Sequence, residues 1–327
     1  MNKQRVVFIV PSAICGGHEF QTVEIIKEHC QGEDDSPLVL AGNDDFVRLL
    51  DGLNCHNRIK VDFPQGNIIR LFLKIKYTVN LLRQYIKFGD KIIIAGGTVE
   101  PVIYYGFIVK YLLGMSSVEC VGYIPMYVDK RLLRPTFGCI HNVLIDFSAR
   151  IIDRYITINK IQAKIIKSHF KRPVAIIKNR VASFPRVTAD FGPRLVYCGR
   201  LDDGQKNVTQ LIRMLDDIRN PYRTLLIIGD GPAKERITST IAQCQHLHVK
   251  MLGWLSAEAM QSILGINDVL VMNSRWEGEP LVVREFASRG IPAIAPDIPG
   301  FRTVIKKQYR FACSRDIYGI LARFYSL

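Results

Sequence analysis

Two carboxylates eight positions apart, Glu277 and Glu285, enclose the segment Gly278-Glu279-Pro280-Leu281-Val282-Val283-Arg284. Pro280 suits the first position of a helix, because a residue without an N–H loses nothing there. The amides of Leu281 and Val282 would then be unpaired and aimed outward. With the helix dipole they form an anion site suited to a diphosphate. Glu277 falls in the loop before that site and Glu285 about one and a half turns beyond it. Carboxylates so placed would accept hydrogen bonds from hydroxyls at the two ends of a diphosphate, a sugar on one side and a ribose on the other. Acidic residues also favour helix starts for the dipole alone, so the E-x(7)-E spacing is weak by itself. Upstream, Leu195-Val196-Tyr197-Cys198-Gly199-Arg200-Leu201 precedes Lys206-Asn207. A strand ending in glycine, then Arg and Lys six residues apart, puts two cations at the strand's carboxyl end. Arg200 would grip phosphate as a fork and Lys206 as a point charge, although a solvated basic loop has the same composition.

The elements that must hold these groups are visible as apolar runs. Val6–Val10, then a turn with Gly16 and Gly17, then a helical pattern from about His18 to His29 open a strand–turn–helix unit. Further continuous runs follow at Pro37–Ala41, Lys91–Ala95, Ser117–Tyr123 and Tyr155–Ile158, and the run 174–177 closes this half. Continuous apolarity marks parallel strands buried on both faces. Residues 179–193 lose the pattern and read as a linker. A second series then begins: Arg194–Cys198, Thr224–Ile228, His248–Leu252, Asp268–Met272 and Ile291–Ala295. The expectation is an α/β protein of two Rossmann-like, doubly wound domains facing a cleft: 1–178, linker 179–193, and 194–327. After Phe301 the pattern fades.

Composition excludes several other classes. A chain of 327 residues, 48% hydrophobic, is long enough for about two domains and too apolar for disorder. No stretch has the ~18 uncharged apolar residues of a membrane span. Pro11 cuts the first apolar run to five residues, short of a secretion signal's core, so a strand is expected there. The eight cysteines lack any C-x-x-C pair, which argues against a zinc site or disulfide framework and for a reducing cytosol. The net charge of +14 is divided between both halves and implies a polyanionic partner. Zinc, helix-turn-helix and aromatic-basic RNA motifs are missing, so nucleic acid is not expected.

The order G-R-L…K-N, I-G-D-G-P, L-G-x-L, N-S…E-G-x-P-L-V-x-x-E, G-x-P-x-I-A-x-D over about residues 194–300 resembles the nucleotide-binding half of GT-B glycosyltransferases. The likeness is to retaining family 4 (group 1), marked by E-x(7)-E. In the first half, Gly16-Gly17-His18-Glu19 resembles the family's glycine-rich loop, and Ile176-Ile177-Lys178-Asn179 the strand and Asn that end the first domain. This resemblance implies a retaining transferase moving a sugar from a nucleoside diphosphate, UDP or GDP, to a glycan or lipid-linked acceptor, with no cofactor. Arg200 and Lys206 would neutralise the departing diphosphate. Glu285 would bind the ribose and Glu277 the donor sugar, while Gly16 and Gly17 would let backbone approach the phosphate. Trp254 and Leu255 would lie where main chain contacts the nucleobase. No D-x-D triplet occurs, so metal chelation of the kind used by the other main glycosyltransferase fold is not expected.

One departure stands out. Relatives often carry a His after the strand matching Val118–Tyr123, where this chain has Gly122-Tyr123-Ile124-Pro125-Met126. Tyr123 or His18 is left to take its place. The basic, largely apolar stretches 68–88 and 154–178 suggest a first domain that meets an anionic membrane surface; solvated basic helix faces would look the same. The expected location is cytoplasmic, peripheral on the inner face of the cell membrane. Competing readings are a catalytically silent GT-B partner subunit and a nucleotide-sugar epimerase.

Overall fold

The structure, a computed structural model, describes the chain except for residues 1–3, 14–16, 31–35, 54, 65–70, 72, 133–137, 181–182 and 327. It forms two compact units, Met1–Arg180 and Val181–Leu327.

In the first unit the strands are β1 (Val6–Val10), β2 (Leu38–Ala41), β3 (Arg58–Lys60), β4 (Lys91–Ala95), β5 (Glu119–Tyr123), β6 (Arg154–Thr157) and β7 (Val174–Ile176). They pair in the order β3-β2-β1-β4-β5-β6-β7, all parallel. Successive side chains of a strand point to opposite faces, so β1 feeds two cores. Val7 and Ile9 join one cluster, Phe8 and Val10 the other. The first face is covered by α3 (Ile75–Arg83), α4 (Val99–Phe107), α5 (Gly138–Ser148) and α6 (Lys160–Phe170), the second by α1 (Gly17–Lys27) and α2 (Asp44–Leu49). Within the basic stretch 68–88, where described, α3 forms over Ile75–Arg83; Leu71, Leu82 and Ile86 are buried in the core and Lys74, Lys76, Arg83 and Lys87 are exposed.

The second unit repeats the plan. Strands β8 (Arg194–Cys198), β9 (Thr224–Ile228), β10 (His248–Gly253), β11 (Asp268–Val271), β12 (Ala293–Pro296) and β13 (Arg310–Phe311) pair as β10-β9-β8-β11-β12-β13, again all parallel. Helices α7 (Val208–Leu215), α8 (Lys234–Ile241), α9 (Ala257–Ile263), α10 (Leu281–Ser288) and α11 (Asp316–Tyr325) pack on one continuous core. The fading expected after Phe301 does not occur. Strand β13 extends the sheet, and α11 buries Ile317, Ile320 and Leu321. The linker stretch has no regular structure where described, but Val187 is buried in this core and its amide donates to Arg289 O at 3.0 Å.

Both sheets reverse direction of growth beside their first strand. Such a reversal leaves a crevice at the strands' carboxyl ends, where doubly wound folds bind ligands. In the second unit the reversal lies between β8 and β11, in the first between β1 and β4.

Candidate nucleotide-sugar site

The loop after β8 carries Arg200 and Lys206, and the loop after β11 carries Glu277, so the reversal brings Lys206 and Glu277 together. The two loops are tied directly. Arg275 N donates to Gln205 O at 2.8 Å, Gln205 Nε2 to Trp276 O at 3.1 Å, and Arg275 Nη2 to Asn207 Oδ1 at 3.3 Å. The β8 loop is closed on itself by Lys206 N and Asn207 N, which both donate to Asp202 O. Asn207 takes the left-handed conformation (φ 55°) that Asn tolerates, which turns the chain into α7. This frame sets Lys206 Nζ 2.6 Å from Glu277 Oε1, with both side chains largely buried. Arg200 is half-exposed and meets Asp202 Oδ2 at 3.0 Å, and the hydroxyl of buried Tyr197 donates to its carbonyl at 2.8 Å. Glycine is required at 229: its φ is +140°, and a Cβ there would overlap the carbonyl of Gly199. The ends of β8, β9 and β10 thereby stack, with Gly199 N donating to Ile228 O and Gly229 N to Gly253 O.

Helix α10 begins at Leu281, one residue later than expected: Pro280 is not its first helical residue but its N-cap, with extended backbone (ψ 111°). Among the described residues no acceptor meets the amides of Leu281 or Val282, whereas Val283 N bonds Pro280 O. Glu279 is buried and pairs with Arg284. Glu277 is pressed from behind by Gly300, where a Cβ would overlap its carbonyl and its side chain. Glu285 lies one and a half turns along α10, and burial pushes its carboxyl pKa up against the opposing pull of Arg289. Arg289 is wholly buried. Its guanidinium sits 3.7 Å from the centroid of the Phe184 ring and donates to Glu285 O and Ala257 O. The thiol of Cys198, at the end of β8, is pushed up to about 12 by burial and then by Glu285, while Arg289 and Lys206 oppose.

The site thus offers an ammonium and a guanidinium, a helix tip with two unengaged amides, and two carboxylates on either side of that tip. Such a set neutralises a diphosphate while accepting hydrogen bonds from flanking hydroxyls. Trp254 and Leu255 follow β10. Leu255 packs against the core, while Trp254 is 76% exposed rather than packed.

Of the first unit's expected residues, Gly16 lies outside the described residues and Gly17 opens α1. His18 faces the loop after β4: its ring is the nearest group to Gly97 and lies edge-on to Tyr123, centroids 5.2 Å apart. Tyr123 is buried, and burial, then the charge of Glu19, raises its pKa. Thr22 Oγ1 donates to His18 O at 3.0 Å and lies 3.4 Å from His18 Nδ1. Among the described residues buried Nε2 meets no hydrogen-bond partner, and burial lowers the pKa of the ring. Sequence reasoning missed Arg289 and Gln205, whose partners are backbone carbonyls and a distant ring with no spacing signal.

Residues 184–316, within the second unit, match the family model described as glycosyl transferases group 1. The UDP-Gal:alpha-D-GlcNAc-diphosphoundecaprenol alpha-1,3-galactosyltransferase of Escherichia coli is 31% identical over 91 residues, 27% of this chain and 23% of the relative. The chain therefore spans under a quarter of that curated relative. Among solved structures, the lipopolysaccharide outer core galactosyltransferase WaaB superposes with a TM-score of 0.67 at 20% identity, over 98% of this chain and 90% of that one. Anabaena Alr3699/HepE in complex with UDP and glucose gives a TM-score of 0.68 at 16% identity, over 99% and 89%. The fold is the two-domain α/β fold of GT-B glycosyltransferases.

Proposed function

We propose that the chain is a retaining, metal-independent glycosyltransferase that moves a sugar from a nucleoside-diphosphate donor to a glycan or lipid-linked acceptor in cell-surface polysaccharide or glycolipid assembly. It would act in the cytoplasm and meet an anionic membrane surface through its basic first unit. The observation that supports the reading best is the contact of Lys206 with Glu277 at the reversal of the second sheet, on the two loops that also carry Arg200 and lead into α10, within residues that match the group 1 model. The relative from E. coli is named for a UDP-galactose donor and a diphosphoundecaprenol-linked acceptor, and the Anabaena protein binds UDP and glucose; both support a nucleotide-sugar donor here.

Cleavage of the donor builds negative charge on the departing diphosphate and positive charge on the sugar. Lys206, Arg200 and the amides of Leu281 and Val282 stabilise the first, set in place before reaction. When donor binds, Lys206 exchanges part of its contact with Glu277 for phosphate, and Glu277 turns to the sugar hydroxyls. Glu285 holds the ribose. The acceptor attacks the face that the diphosphate leaves, and a phosphate oxygen takes the acceptor's proton, so no enzymatic base is required.

Thermal denaturation of the whole chain tests this directly. UDP or GDP should raise the transition temperature, unchanged by EDTA. Lys206→Gln keeps a donor beside Glu277 but removes the charge; turnover should fall at least about 100-fold with the circular dichroism spectrum unchanged. Wild-type turnover in Lys206→Gln and Glu277→Gln alike, or nucleotide stabilisation abolished by EDTA, would sink the reading.

A further inference from the structure

The outward side of α5 carries an unexpected surface. Ile140, Val143, Leu144 and Phe147 recur at the i, i+3, i+4, i+7 spacing that ordinarily marks a core-facing stripe, yet they are 63%, 67%, 61% and 72% exposed. The helix is held to its sheet by the opposite side, through Gly138 and Ile145, with buried Ala149 just beyond its end. Beside it on the same face of the sheet lies α6. The two are pinned by His169 Nδ1, 2.7 Å from Asp146 Oδ2, under the ring of Tyr127, which stacks on His169 at 4.4 Å.

Helix α6 turns Ile166 and Phe170 inward and Lys160, Lys164 and Lys167 outward, with Lys171 continuing the row at its cap. Spacings of four, three and four place these lysines on one line, and all four are exposed. The acidic groups nearby are already engaged. Asp146 binds His169 and the Tyr127 hydroxyl, and Asp153 binds Lys110 Nζ at 2.6 Å and Cys120 N at 2.8 Å. Arg150 adds a further exposed cation, 6.0 Å from the Phe147 ring centroid.

We propose that the α5–α6 surface docks on an anionic lipid bilayer, its apolar row entering the boundary between headgroups and acyl chains while the lysine row meets headgroup phosphates. Charge selects this occupant over a second copy of the chain. Two-fold pairing through the apolar row would bring like lysine rows into one interface. The assignment rests on the membrane contact proposed above and names the surface that makes it; its readout is partition onto vesicles, so it can fail while sugar transfer stands.

The test is sedimentation of the whole chain with vesicles in about 0.15 M salt. Phosphatidylcholine vesicles containing phosphatidylglycerol should retain at least about tenfold more protein than pure phosphatidylcholine. Lys160→Glu/Lys164→Glu should lower partition at least about 25-fold, each lysine near the surface contributing roughly fivefold. Leu144→Ser/Phe147→Ser should lower it at least about tenfold, whereas Lys74→Glu/Lys76→Glu before and in α3 should change it less than about threefold. The emission of Phe147→Trp should move to the blue on anionic vesicles beyond any change in the parent chain. Equal partition onto both vesicle types, none onto anionic vesicles at low salt, or full binding by the α5 double variant would overturn the assignment. So would a dimer that Leu144→Ser/Phe147→Ser disperses without altering vesicle binding.

Discussion

The carboxyl group of Glu285 sits where its charge is disfavoured, and that setting has a measurable consequence. Burial raises its folded pKa above the ordinary value of 4.5. A raised carboxylate pKa means stability that is present below the unfolded value and lost as pH rises through the folded one. At pH 7 the ionised group therefore weakens the second unit, and Glu285→Gln should strengthen it, by on the order of 1 kcal/mol. The same change should reduce stabilisation by UDP, because an amide oxygen accepts a ribose hydroxyl less strongly than a carboxylate. Urea unfolding at pH 7 and pH 4, with and without nucleotide, reads both effects; the gain should vanish at pH 4. His18 has the opposite sign. Its folded pKa lies below the unfolded 6.5, so its stability is present above that value and lost as pH falls. The first unit should lose up to about 1.4 kcal/mol per pH unit below pH 6.5 through this ring, and His18→Gln should flatten that slope in denaturant titrations between pH 7.5 and 5.5.

At the scale of the element, α10 is placed by contacts behind it as much as by its own sequence. Gly300 lets the chain pass against Glu277, and Gly300→Ala would force the two apart. Overpacking of this kind costs about 1–3 kcal/mol, and here the displaced group is the carboxylate assigned to the donor sugar. Gly300→Ala should therefore unfold at lower urea concentration and lose turnover more than it loses UDP binding; unchanged turnover would remove Glu277 from the site. The start of α10 was legible because Pro280 and the preceding apolar run are local signals. Strands β1, β4, β8 and β9 were legible for a related reason, since burial on both faces writes continuous apolar runs. Contacts fixed over long separations were not. Arg289 reaches Phe184 across the second unit, and Gln205 reaches Trp276, with no spacing to betray either. Short edge elements such as β3 and β13 have too few residues to form a pattern. In α5 the apolar period was present, but period alone does not say which way a stripe faces; only the burial of Ile145 opposite it does.

For the whole molecule, the division at Arg180 and Val181 gives two sheets with separate cores. Each sheet is parallel, closed by its own helices and complete without the other's strands, so each unit has the burial expected of an independent folding domain. The charged groups assigned to the diphosphate, Arg200 and Lys206, and the tip of α10 belong to the second unit; the first unit was expected to add only the backbone of Gly16 and Gly17. Linkage then makes a sharp expectation for calorimetry of the whole chain. A ligand stabilises only the cooperative unit that binds it, by about 2.7 kcal/mol at a hundredfold excess over its Kd. Two transitions should be resolved, and UDP should raise one while leaving the other in place. The transition that moves should be the one shifted by Glu285→Gln, and the one left behind should carry the His18→Gln pH dependence. In Lys206→Gln the nucleotide response should shrink while both transitions persist. A single transition that UDP moves as a whole would mean that the two cores unfold as one, and the diphosphate contacts would then have to be sought in both units rather than at the reversal between β8 and β11.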